Sequence, residues 1–168
     1  LAVAEATLKD KPDDLNARFT RADANFRLGN DTAAQEDLSL LIEKAPTVAR
    51  AYQLRAVVRA RTGQAEKAKE DLAKFKELNN SLSSQAYLDA VVSAHLGEDV
   101  EGSKRLEELL AAHASDKHFL YDGACAYALA ATARAEDVTK SKEYADRAVA
   151  LLKKAVEQAQ KEFVALRD

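Results

Sequence analysis

The chain measures itself out in steps of 34 residues. Between Ala49 and Leu82, Ala56 and Gly63 stand seven apart, Ala68 follows five later and Leu72 four after that. One step back, the same ruler meets Ala22, Gly29, Ala34 and Leu38; one step forward, it meets Ala90, Gly97, Gly102 and Leu106. A further step finds Ala124, with Ala131 where a glycine was due. The last two positions return twelve residues late as Ala148 and Leu152. Small residues let helices cross closely, and a glycine between them supplies the turn. A unit of this length is one helix–turn–helix that cannot bury its apolar face alone and must stack on its neighbours. That periodicity constrains the fold more than composition does, and it predicts an all-α chain.

The order small residue, glycine turn, alanine, bulky apolar residue and closing proline resembles the tetratricopeptide repeat family. Pro12 and Pro46 hold the closing position, while Asn80 and Ala114 replace it later. The family's early tryptophan is absent, with Arg18, Tyr52, Ala86 and Leu120 in its place. The resemblance covers roughly residues 13–159. It implies a right-handed α-solenoid with a long C-terminal helix. The expected division is 1–12 as the tail of a truncated preceding repeat, then 13–48, 49–82 and 83–116 as the first three repeats. Residues 117–159 form a fourth with a twelve-residue insertion, and 160–168 end the capping helix. The insertion lengthens either the loop between the last two helices or the start of the final one. No initiating Met is present and the first residues read as a second helix, so we expect a piece of a longer protein.

Charge argues against two partner classes. A net charge of −3 suits neither nucleic acid nor an anionic membrane surface. The distribution is uneven: residues 49–82 carry eight Lys/Arg against four Asp/Glu, and residues 83–116 carry two against seven. No apolar run reaches the ~18 residues of a membrane span, and the expected location is cytoplasmic. The single cysteine, Cys125, excludes an internal disulfide and is read as a small buried apolar residue. His113, His118 and Cys125 match no zinc-ligand spacing. We expect no metal, no cofactor and no catalytic residue, hence no enzyme.

The repeats also carry a contact inference. Arg21 and Asp37 lie sixteen apart, as do Arg55 and Asp71. Asp89 and Arg105 keep the spacing with signs exchanged, and the fourth pair, Gly123 and Leu151, carries no charge. A half-buried guanidinium is costly unless paired, and a carboxylate can take it as a two-pronged fork. These positions are therefore expected to touch across each hairpin.

The resemblance implies that the first helix of each repeat lines a concave groove holding a protein or peptide. Its groove positions fall on Phe19, Asp23 and Phe26, then Gln53 and Val57, then Tyr87, Val91 and His95, then His118, Tyr121 and Asp122. Phe19, Tyr87 and Tyr121 share one lattice position, interrupted by Gln53. Aromatic side chains give large contact area at low entropic cost; the competing reading is that these rings are ordinary packing. The Lys, Asn and Arg with which some family members clamp acidic chaperone tails are replaced by Phe19, Asp23, Leu54, Ser84 and Leu88. That mode is not expected. Residues 121–128 and 144–149 are also similar to the closing repeat of long bacterial proteins, some with a Ser/Thr kinase domain upstream, which would imply a docking or regulatory arm. Self-assembly into a homo-oligomer, through the Leu1 edge or the last helix, is the remaining alternative.

Overall fold

The computed structural model describes residues 1–165, without the side chains of 99–101. Every element among them is a helix: α1 (Ala2–Asp10), α2 (Leu15–Arg27), α3 (Asp31–Lys44), α4 (Ala49–Arg61), α5 (Ala65–Leu78), α6 (Leu82–Leu96), α7 (Asp99–Ala112), α8 (Lys117–Ala133) and α9 (Val138–Ala165). Residues 166–168 of the expected capping segment lie outside the described residues. The fold is all-α. Two compact units divide it, one over Leu1–Asn80 and one from Ser81 onward.

Local chemistry sets the helix ends. Asp14, Ser81 and Asp116 cap α2, α6 and α8, each accepting a backbone N–H of the first turn. Helix α4 starts at Ala49 after Val48 without a side-chain cap. Gly29, Gly63 and Gly97 adopt φ of +80°, +73° and +76°, the left-handed turn that glycine takes without a Cβ penalty. In all three turns the following amide folds back onto the helix: Asn30 onto the Asn25 carbonyl, Gln64 onto Arg59 and Glu98 onto Ser93, each at 2.8 Å. Ala131 has no such turn. There α8 runs on to Ala133, and α9 begins at Val138, well before Ala148. Measured against the second repeat, the twelve-residue delay is shared: α8 runs four residues further, the turn is one residue longer, and α9 carries seven more residues ahead of Ala148.

In the first unit, α2 packs on α3, α4 on α5 and α3 on α4. The core is Ala22, Ala34, Leu38, Leu41, Ala51 and Val58, bordered by Phe19, Phe26, Ile42 and Leu54. Ala22, Ala34, Ala56 and Ala68 are completely buried, because the lattice's small residues stand where helices touch. Across the first hairpin, Arg21 donates from Nε and Nη2 to both oxygens of buried Asp37 at 2.7 Å. Across the second, Arg55 makes the same fork to Asp71 at 2.9 and 2.8 Å. Each carboxylate also takes a second arginine, Arg18 at 3.2 Å and Arg59 at 2.8 Å.

In the second unit, α6 packs on α7 and α8, and α8 packs chiefly on α9. Here Arg105 is exposed. The uncharged fourth pair is explained by packing: Leu151 is buried, and a Cβ on Gly123 would lie 2.7 Å from Leu110. Glu107 of α7 ties the end of this unit together, accepting from the Tyr127 hydroxyl of α8 at 2.8 Å and Arg147 Nε of α9 at 2.7 Å. Burial pushes its carboxyl up, but the Arg147 and Tyr127 hydrogen bonds outweigh that and hold it below its ordinary value.

Candidate functional site

The eleven groove positions fall in two sets, one in each unit, and the sets differ in character. In the first unit, α2 and α4 present rings already covered. Phe19 packs on the core with the Arg50 guanidinium 4.6 Å above its centroid. Phe26 carries Arg61 at 4.3 Å, and Arg61 is fixed by hydrogen bonds to the Phe26 carbonyl and Asp31. Such stacking satisfies both the ring face and the cation. Asp23 is engaged by Arg27 at 2.8 Å, one helical turn on. Val57 is buried and Gln53 half-buried. For Phe19 and Phe26 the packing reading holds, and Val57 offers no surface. The side chains left towards solvent there are the covering arginines.

In the second unit, α6 contributes Tyr87, Val91 and His95. Val91 is fully buried, so it supports the wall from behind and cannot touch a partner. His95 is half-buried and engaged within the chain. Tyr87 is half-buried, and its phenol is pushed up to about 12, first by burial and then by the neighbouring Cys125 and Asp122 of α8. Those neighbours show that α6 and α8 bring Tyr87, Asp122 and Cys125 into one cluster.

On α8, Asp116 opens the helix and accepts the His118 and Phe119 amides at 2.9 and 3.2 Å. That cap fixes the phase of the next two turns. His118 is exposed. Tyr121 also stands clear of the surface, at 55% exposure, and its hydroxyl is raised chiefly by a hydrogen bond with Cys125. Cys125 is half-buried, short of the buried apolar role expected of it, because it faces this phenol. Asp122 is half-buried too. Burial raises its carboxyl, with Ser83 of α6 and His118 opposing that shift.

The contrast with the first unit is physical. Asp37 and Asp71 are neutralised by two arginines each, whereas no Lys or Arg among the described residues forms an ion pair with Asp122. Asp122 is thus a partly desolvated carboxylate held by Ser83 and His118, next in sequence to the exposed Tyr121 phenol. Sequence spacing missed Ser83 and Arg50. Arg50 does lie on the same helix as Gln53 and Val57, so a helical wheel carries a trace of it.

Helix pairs joined by glycine turns, with small residues at the crossings, define a helical-repeat protein of the tetratricopeptide-like kind. Among solved structures, the fold is similar to a crystal structure of MamA, at 20% identity and a TM-score of 0.56, over 95% of this chain and 86% of that one. A second MamA crystal structure matches at 20% and 0.55, over 95% and 80%. At this identity the likeness concerns the fold alone. No protein-family model matches the sequence, and no curated protein does. Among the described residues no helix is long and apolar enough to cross a membrane.

Proposed function

We propose that this chain is a protein-interaction module, and that its anchoring face is the part of α6 and α8 around Tyr87, Tyr121 and Asp122. The observation that carries this reading is Asp122, a half-buried carboxylate unpaired with a cation, next to exposed Tyr121. A partner presenting a lysine or arginine beside an extended or helical segment would complete the ion pair and lay its aliphatic stem on the phenol. Asp37 and Asp71 show what this fold does with a carboxylate that serves packing. Phe19 and Phe26 contribute to the first unit's core in this reading.

Affinity capture from native lysate, read by mass spectrometry, tests it with three baits: the wild-type chain, Tyr121→Ala and Asp122→Asn. Both substitutions alter partly or fully exposed side chains, so helix content by circular dichroism should be unchanged. Tyr87 is left intact because removing a largely buried ring would disturb the fold. A partner held by wild type and lost with both variants supports the face. Equal capture by all three moves binding elsewhere and removes Asp122 from the site.

A further inference from the structure

Helix α9 carries two apolar stripes, and only one of them faces its own unit. Tyr144, Ala148, Leu151 and Ala155 are buried there. A second row, Ala145, Val149, Leu152, Val156 and Ala159, advances by alternating steps of four and three, the spacing of a coiled-coil seam. Its three large members are 52%, 44% and 49% exposed. Val149, Leu152, Lys153, Val156 and Glu157 line one shallow depression along the helix. Several charges of α9 are paired: Lys140 with Glu143, Lys142 with Asp146, Arg147 with Glu107 and Glu162 with Lys117. Lys153 and Glu157, which border the depression, have no ion pair or hydrogen bond from their side chains among the described residues.

We infer that this face is closed by a second copy of the chain, through antiparallel pairing of the two α9 helices. The row and its charges select that geometry. Set Leu152 across from the second copy's Val156, and Val149 falls across from its Ala159, so a larger residue meets a smaller one along the seam. The same register brings Lys153 alongside the second copy's Glu157, and by two-fold symmetry the pair forms twice. Parallel pairing would stack like on like, Ala159 on Ala159, and leave both charges without a cross-partner. Lys153 and Glu157 on one helix stand in the less favourable i,i+4 order, lysine first. Across the antiparallel seam that order carries no penalty. Val149 to Ala159 spans about 15 Å of helix at 1.5 Å per residue. An interface of that length belongs to the small class of specific contacts, with dissociation constants of about 1–100 μM.

Sedimentation equilibrium of the intact chain between about 1 and 300 μM covers that range. Wild type should show a monomer–dimer equilibrium, and Leu152→Glu should remain monomeric with unchanged helix content, since the replaced side chain is already half in water. Lys153→Glu and Glu157→Lys should each weaken the dimer about tenfold by turning two attractions into two repulsions. The double exchange Lys153→Glu/Glu157→Lys should restore the wild-type constant. A wild-type chain monomeric throughout the range overturns the proposal and assigns the stripe to a helix of different sequence. Dimerisation untouched by Leu152→Glu places the contact elsewhere and overturns it equally. A dimer lost with Leu152→Glu but without rescue by the double exchange overturns the antiparallel register.

Discussion

Removing the Asp71 carboxylate should damage the first unit more than removing Asp37, and the difference can be worked from the structure. Asp71 is 3% exposed and receives three hydrogen bonds from Arg55 and Arg59, whose side chains are only 12% and 13% exposed. Without it, two guanidinium groups face each other in a space that water reaches poorly. Arg59 Nε already lacks a partner, and burial already lowers that group, with the Asp71 charge opposing the shift. Breaking a buried pair by deleting one partner costs about 3–5 kcal/mol, and Asp71→Ala is expected in that range. Asp37 has the same burial, but Arg21 is 31% exposed and Arg18 also holds the Pro12 carbonyl. Arg21 can turn to water and Arg18 keeps the Pro12 carbonyl as a partner, so Asp37→Ala is expected to cost about 2 kcal/mol. Urea unfolding followed at 222 nm measures both. With an m-value near 2 kcal/mol/M, the Asp71 variant should lose about 1.5–2.5 M from its midpoint and the Asp37 variant about 1 M. A loss below about 1 kcal/mol for Asp71→Ala, or the reverse order, would refute the argument that these forks stabilise the hairpins.

Four further outcomes follow, one from the first unit and three from the second. Gly123→Ala places a Cβ 2.7 Å from the buried Leu110 side chain, so it should cost about 1–3 kcal/mol in thermal melts despite alanine's better helix propensity. Gly29→Ala, with nothing within 4 Å but φ of +80°, should cost about 1 kcal/mol through backbone strain alone. Glu107→Gln should cost about 1 kcal/mol at pH 7 after allowance for its partial exposure. Its folded carboxyl lies below the ordinary value, so that stability is complete above the usual glutamate range and disappears as pH falls through the lower folded value. Melting curves of wild type and variant should therefore converge as pH falls below that lowered value. Asp122→Asn should behave oppositely. Its carboxyl is raised, so the charge costs stability at neutral pH, and the variant should gain about 0.5 kcal/mol at pH 7, with no gain near pH 3. A gain in stability accompanied by loss of capture is the behaviour expected of a recognition residue.

The 34-residue lattice by itself determined the helical hairpins, their glycine turns and the arginine–aspartate forks of the first unit. Each depends on local offsets that the chain repeats, and a repeat turns one contact rule into several. The second arginine on each aspartate was not legible. Arg18 shares its lattice position with Tyr52, and Arg59 with Asn25, so neither recurs. Whether an aromatic is covered or exposed was equally hidden, since Phe19 and Tyr121 occupy one lattice position and are both aromatic. The tertiary structure separates them through what lies above each ring: Arg50 in one case, water in the other. Burial is a property of neighbours on other helices, and no spacing along one helix contains it. For the same reason only the packed α9 reveals that half of its apolar residues face away from their own unit.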